Sequence, residues 1–502
     1  MLHRFKFLFL AGIGITQLLP LVCKAQSKPN IVIIYTDDLG VGDISANGAT
    51  KVKTPNIDRI ANQGLRFTNA YATAATCTPS RFSLLTGKYA WRKSGTNIAP
   101  GDAALIIPTN EENMPLMLQK AGYQTAVVGK WHLGLGPAGG PAWNSDIKPG
   151  PLEVGFNYSF IMPATGDRVP CVYMENYRIV DLDPADPITV SYKEKIGNEP
   201  TGKENPELLK LNYSHGHDAT IINGVSRIGW MTGGKRARWV DEDMADVFTG
   251  RAVNFIEKNA KNPFFLYFAT QDIHVPRVPH SRFVGKSGMG ARGDAILQLD
   301  WTVGEVLKTL DRLKITNNTL IIFTSDNGAV VDDGYEDRAV ELLNGHTPSG
   351  ILRGGKYSAF DGGTKIPMLV SWPAKIKSGT VSNALFSQID IYASLAALTG
   401  RKINAQDSRN SLSTLLGGKI NREFVIQQAV NSTLGIIQGN WKYISPGPGP
   451  AINPQVNIEL GNNMKPQLYN LKNDGSETKN LAEQNPEVLK KLMAKLESVK
   501  NY

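Results

Sequence analysis

Cysteine is scarce in this chain: three in 502 residues, at positions 23, 77 and 171. That excludes a disulfide scaffold, and a chain of this length can bury a core without one. Histidine is scarce too, seven in all with His3 near the N-terminus, which disfavours a two-zinc phosphatase centre needing several histidine ligands. The formal net charge is +9, yet no basic block runs longer than Gly233 to Arg238, a segment expected to be solvated surface. A duplex-binding protein would concentrate its charge on one face, so nucleic acid is excluded as a partner, while a mildly basic chain suits an anionic ligand. Beyond Val22 no apolar run approaches membrane length. The 49 glycines and 29 prolines are spread rather than clustered, which excludes collagen and low-complexity disorder.

What is present begins with a leader. Arg4 and Lys6 precede an apolar run from Phe7 to Val22, and Cys23-Lys24-Ala25 offers a small-residue cleavage site before Gln26. Residues 1–25 are expected to be a signal peptide, and the mature protein to be exported, periplasmic or secreted, with no stable membrane anchor. Lipid attachment through Cys23 is disfavoured by the bulk of Val22. Of the two remaining cysteines, Cys171 between Pro170 and Val172 has the setting of a small buried apolar residue; Cys77 does not.

Four short apolar runs have strand composition: Ile31 to Tyr35, Ala126 to Val128, Phe264 to Phe268 and Leu320 to Phe323. Helical patterns lie between them, for example Thr249 to Lys258 and Ala295 to Leu313, so the chain is α/β with a largely parallel sheet. Each run is followed at once by polar residues: Thr36-Asp37-Asp38, Gly129-Lys130-Trp131-His132, Gln271-Asp272-Ile273-His274 and Ser325-Asp326-Asn327-Gly328. One such cluster is ordinary turn chemistry. Four at the carboxyl ends of strands in an open α/β sheet can converge on a ligand. Asp37, Asp38, Asp326 and Asn327 offer only oxygen atoms, which selects a hard divalent cation, Ca²⁺ or Mg²⁺, over zinc.

Cys77 opens the segment Cys77-Thr78-Pro79-Ser80-Arg81-Phe82-Ser83-Leu84-Leu85-Thr86-Gly87. Pro79 suits a first helical turn and Gly87 a helix end, so Cys77 is expected at a helix N-terminus, where free N–H groups favour an anion. Arg81, four residues on, can reach the same anion. With these residues assembled, the chain resembles the formylglycine-dependent sulfatases of the alkaline phosphatase superfamily. Cys77-Thr78-Pro79-Ser80-Arg81 matches the Cys-x-Pro-x-Arg signal for oxidation of the cysteine, and Leu84-Leu85-Thr86-Gly87 matches its tail. The likeness runs from Pro29-Asn30-Ile31 through Thr54-Pro55-Asn56-Ile57-Asp58 and Arg353-Gly354-Gly355-Lys356 to Gln467-Leu468-Tyr469-Asn470-Leu471.

The resemblance implies a fold, a chemistry and partners. It implies a large domain, residues 26–414, with a mostly parallel mixed sheet flanked by helices, and a small α+β subdomain, residues 415–502, with an antiparallel sheet. It implies one calcium held by Asp37, Asp38, Asp326, Asn327 and modified Cys77, and a catalytic set of Cys77, Arg81, Lys130, His132, His274 and Lys356. Cys77 is implied to be converted to formylglycine (3-oxoalanine) by a sulfatase-maturating enzyme. The hydrate of that aldehyde takes up sulfate on one hydroxyl and expels it with the other, while His274 protonates the departing alcohol. Relatives sharing these motifs cleave phosphonate or phosphate esters, and others are arylsulfatases of broad specificity, so those remain the rivals. One departure stands out: Asp361-Gly362-Gly363-Thr364-Lys365-Ile366-Pro367 occupies the place of a common Glu-Gly-Gly-x-Arg-x-Pro.

Specificity is expected in the stretch from Pro137 to about Met244, which holds none of the sulfate-handling residues. There Met162 to Pro170 frames Asp167 and Arg168, able to accept from and donate to one sugar hydroxyl, and His215 and His217 add hydrogen-bonding capacity. The alternative is a surface salt bridge in a turn. This loop is similar to ones that read an axial hydroxyl, which implies an exo-acting enzyme on a sulfated glycan, with 6-O-sulfated galactose or N-acetylgalactosamine as substrate. Near the C-terminus, Gly435 to Gln438, Trp441 to Ile444 and Gln467 to Leu471 are expected strands, and Pro446 to Pro454 a surface loop. Pro486 to Val499 is an expected helix with Val488, Leu489, Leu492, Met493 and Leu496 on its packed face.

Overall fold

The computed structural model describes residues 1–2, 28–420 and 422–502. The expected signal peptide lies outside the described residues apart from its first two. Among the described residues no helix is long and apolar enough to cross a membrane.

A ten-stranded sheet organises the chain. Its order is Thr380–Ser382, Leu65–Phe67, Met368–Ser371, Thr319–Ser325, Asn30–Thr36, Phe264–Ala269, Gln124–Lys130, Tyr158–Met162, Met174–Glu175 and Arg178–Ile179. The five strands from Thr319–Ser325 to Tyr158–Met162 are parallel. The flanking strands next to them run antiparallel. Every residue of Asn30–Thr36, Phe264–Ala269 and Thr319–Ser325 is buried. Successive side chains point to opposite faces, so the sheet is covered on both sides, as unbroken apolar runs require. The four expected strands are the four central ones. Tyr158–Met162, inside the stretch assigned to specificity, is a fifth parallel strand that the sequence reading missed.

Helices supply the covering layers. Met244–Asn259 and Gly290–Arg312 pack on each other, and Pro55–Asn62 packs on the latter. Cys77–Thr86, Met114–Lys120 and Asp390–Leu398 form another mutually packed group. The long helix begins five residues before the expected Ala295 because its first turn is polar. Arg292 is buried there in a two-pronged pair with Asp43, at 2.7 and 2.8 Å, which apolar periodicity cannot register.

A second, antiparallel sheet follows: Val425–Gln428, Leu434–Gln438, Trp441–Ile444 and Gln467–Asn470, with the helix Pro486–Lys500 packed on its two middle strands. Leu492 and Leu496 are buried in its core, whereas Met493 is exposed, and Val499 rather than Met493 completes the packed face. That core also takes in Tyr89 and Ile389 from the large unit, so the two units share a packed boundary. The edge strand Val425–Gln428 pairs with the segment leading to Cys77: Ala75 N donates to Gln428 O at 2.8 Å and Gln428 N to Thr73 O at 2.9 Å. The basic block at Gly233 to Arg238 is exposed at Lys235 and Arg236, while Arg238 pairs with Glu199 at 2.7 Å.

Candidate active site

Cys77 is the first residue of the helix Cys77–Thr86, and Gly87 ends that helix at φ +69°, a left-handed cap that a side chain disfavours. Cys77 thus stands at the helix N-terminus with Pro79 in the first turn, as the sequence suggested. Cys77 and Cys171 are both free and buried. Burial pushes the Cys77 thiol up to about 11, against the pull of Lys130 and Lys356, so the unmodified side chain is a protonated, weak nucleophile at neutral pH.

The carboxylates at the ends of two adjacent parallel strands meet beside it. Asp37, Asp38 and Asp326 each have an oxygen within 4.8 Å of the others, and all three are buried. Burial pushes the Asp37 carboxyl well above its ordinary range; Lys130 opposes this, and Asp326 and Asp38 add to it. Lys130 Nζ bonds Asp37 Oδ2 at 2.6 Å, Arg81 bonds Asp326 Oδ2 at 2.7 and 3.1 Å, and Lys356 Nζ bonds Asp38 Oδ2 at 2.9 Å. Asn327 Nδ2 donates to Asp38 Oδ1 at 2.8 Å. Two buried oxygens then have no hydrogen-bond partner: Asp37 Oδ1, with Arg81 Nη2 3.7 Å away, and Asn327 Oδ1. Unpaired buried acceptors among three carboxylates are what an oxygen-liking cation would satisfy. These residues fit a hard divalent ion.

Two histidines have fixed tautomers. His132 Nε2 lies 2.9 Å from Ala99 O, so it carries the proton, and Nδ1 is buried without a partner. His274 Nδ1 lies 2.6 Å from Val275 O and carries the proton; Nε2 faces Lys356 Nζ at 3.3 Å and Asp38 Oδ2 at 3.7 Å. Burial holds both rings well below the ordinary imidazole range, helped by Lys130 at His132 and by Lys356 and Lys130 at His274. Both are neutral at pH 7. Asp38 and His132 have φ of +59° and +54°, backbone strain of a kind that gathers at functional sites.

The specificity stretch also reaches this centre. Asp167 is buried, which overturns the surface salt-bridge alternative; Arg168 Nη1 bonds its two oxygens at 2.8 and 3.0 Å, and His217 Nε2 lies 3.1 Å from Oδ2. Burial would raise the Asp167 carboxyl, yet Arg168 and then His217 hold it well below its usual range. Arg168 lies near Cys77 and Tyr357. His215 departs from expectation. Its ring bonds Ser214 Oγ at 3.0 Å, and only its carbonyl serves the cluster, accepting from His217 Nδ1 at 2.8 Å. Asp333 was missed: buried, it pairs with Lys356 at 2.8 Å and accepts from Tyr357 OH at 2.9 Å. It lies seven residues past Asp326 in a loop without secondary-structure signal, and the second of two adjacent aspartates was the sole available cue. Gly334 has φ +104°, and a Cβ there would stand 2.0 Å from His217 Nδ1.

The sulfatase family model matches residues 29–401. The chain belongs to the sulfatase family. This sulfatase is 60% identical over 479 residues to N-acetylgalactosamine-6-O-sulfatase of Bacteroides thetaiotaomicron, covering 95% of this chain and 94% of the relative. It is 32% identical over 412 residues to human N-acetylgalactosamine-6-sulfatase, covering 79% of this chain and 67% of that one. A solved structure described under the metabolism of multiple glycosaminoglycans by Bacteroides thetaiotaomicron matches at TM-score 0.94 and 60% identity, over 95% of this chain and 100% of that one. The protein is a sulfuric ester hydrolase.

Proposed function

We propose that this sulfatase removes the 6-O-sulfate from N-acetylgalactosamine or galactose at the end of a sulfated glycan, with Cys77 converted to formylglycine and Ca²⁺ as the cation. On this reading residues 1–25 are cleaved on export to the periplasm, residues 26–414 form the catalytic domain and 415–502 the C-terminal subdomain. A sulfatase-maturating enzyme is the partner that acts on Cys77. The observation that carries the substrate is the cluster of buried Asp167 and His217 with the half-buried Arg168 near Cys77, a fixed set of donors and acceptors suited to a sugar hydroxyl. The 60% identical relative named for N-acetylgalactosamine 6-O-sulfate supports it.

Asp37, Asp38, Asp326 and Asn327 would hold the cation, which when bound draws negative charge from the sulfate oxygens. The hydrated aldehyde supplies two hydroxyls on one carbon, which a thiol cannot. Arg81 keeps Asp326 in place through two bonds, and Lys130 does the same for Asp37. His132, neutral and with Nδ1 free, accepts a proton from a hydroxyl at position 77. Lys356 presents an N–H to the departing sugar oxygen and, with Arg81 and Lys130, offsets the anionic charge of the transition state, while His274, its own proton committed to Val275 O, accepts from Lys356 at Nε2 and orients it. Rates on a panel of monosulfated sugars test the reading. Galacto-configured 6-sulfates should be preferred over gluco-configured ones, and Asp167→Ala should erase the preference. Equal rates in the native enzyme would overturn the role of this cluster.

A further inference from the structure

Lys356 has three ammonium protons and three partners: Asp38 Oδ2 at 2.9 Å, Asp333 Oδ2 at 2.8 Å and His274 Nε2 at 3.3 Å. The two carboxylates fix rotation about the Cε–Nζ bond, so the third proton is aimed at His274. That ring can only accept there, because its own proton is committed to Val275 O. Asp38 is also shared with Asn327 and belongs to the acidic cluster that fits a cation. A cation drawing on Asp38 weakens its hold on Lys356. Asp333 then remains as the carboxylate on that lysine.

Asp333 is itself held from within the protein. Its Oδ1 accepts from Tyr357 OH at 2.9 Å and its Oδ2 takes Lys356, so both oxygens have donors without a substrate. Tyr357 sits at φ +80°, with its N–H bonded to Ala75 O at 2.7 Å, in the segment leading to Cys77. Its own carbonyl accepts from Val430 N at 3.1 Å. On the other side, Gly334 follows Asp333 against the His217 ring, and the Tyr335 ring lies tilted at 45° to that ring with the centroids 4.6 Å apart. The loop that carries Asp333 is thus braced between the nucleophile segment and the sugar-reading histidine.

We propose that Asp333 is a positioning residue that aims Lys356 at the leaving-group side of the site and acts through that lysine, not on the substrate. The proposal rests on the roles given above to Lys356 and His274. It is tested in the full-length matured enzyme on N-acetylgalactosamine 6-sulfate, with Asp333→Asn, Lys356→Ala and the double variant, and with Tyr357→Phe as a milder loosening of the same clamp. Asp333→Asn should lower kcat by roughly tenfold or more while KM stays within about threefold. Tyr357→Phe should move kcat in the same sense by less, with its thermal midpoint near that of the native enzyme. On the Lys356→Ala background, Asp333→Asn should change kcat by less than about twofold, because its target is gone. A full loss persisting on that background, or a loss carried by KM, would overturn the proposal. If Asp333→Asn does not fold, Tyr357→Phe carries the same cycle. A native enzyme inert on the sulfated sugar would instead overturn the substrate reading, so the two failures are distinct.

Discussion

At the scale of single residues, the site is a set of buried charges that satisfy one another only in part. Asp37 shows this best. One oxygen is tied to Lys130 at 2.6 Å and the other has no partner, so the side chain is half structural and half open to a cation. Asp37→Asn keeps the shape and removes the charge. Calcium affinity measured by calorimetry should fall at least about tenfold. The same change leaves the Lys130 ammonium buried without its carboxylate, so the thermal midpoint of the calcium-free protein should fall as well. Unchanged affinity would remove Asp37 from the ligand set. Arg81 and Lys356 neutralise the other carboxylates of the site: Arg81 pairs with Asp326, and Lys356 with Asp38 and Asp333.

At the scale of elements, the parallel strands set where chemistry can occur and helices hold their ends in register. Asp300, on Gly290–Arg312, caps a different helix: its carboxylate accepts from the Asn56 and Ile57 amides at 3.0 and 2.9 Å and from Asn56 Nδ2 at 2.8 Å. Burial pushes it up to about 6, with those three donors opposing. A carboxyl raised on folding gives stability that is full below its unfolded pKa near 4 and is lost as pH rises through about 6. Asp300→Asn should therefore flatten the fall in stability between those limits, read from denaturation midpoints at several pH values; an unchanged slope would show that another group titrates.

The same elements explain what was legible in the sequence. Asp37, Asp38, Lys130, His132, Asp326 and Asn327 follow apolar runs too short and too continuous to be anything but buried strands, so their convergence could be read from order alone. Cys77 and Arg81 were legible from helix punctuation and spacing. Tyr158–Met162 was not, because its pattern is interrupted by Ser159 and its pairing with Gln124–Lys130 is purely tertiary. Asp333 was hidden for the same reason: its partners Lys356 and Tyr357 lie more than twenty residues away. Nothing local marks such a pair.

At the scale of the whole molecule, the small antiparallel sheet is part of the active-site scaffold. Gln428 is bonded to the residues before Cys77, and Val430 to Tyr357. Beneath that seam lies a buried ionic network. Lys442 Nζ bonds Asp361 Oδ1 at 2.9 Å and forms an ion pair with Glu477 Oε1 at 2.8 Å, Asp361 N donates to Glu477 Oε2 at 2.6 Å, and Tyr71 OH to Asp361 Oδ2 at 2.9 Å. Asp361 opens the short helix five residues after Lys356. Here the aspartate meets Lys442 and Glu477 from the second unit. Lys442→Ala would leave two buried carboxylates facing each other without a cation, which costs about 3–5 kcal/mol when a buried pair is broken. The denaturant midpoint should fall accordingly. Because the seam continues to Tyr357 and the Cys77 segment, sulfatase turnover should fall at temperatures where the variant is still folded. A stability loss under about 1 kcal/mol, a surface-pair value, would mean that the network does not join the two units.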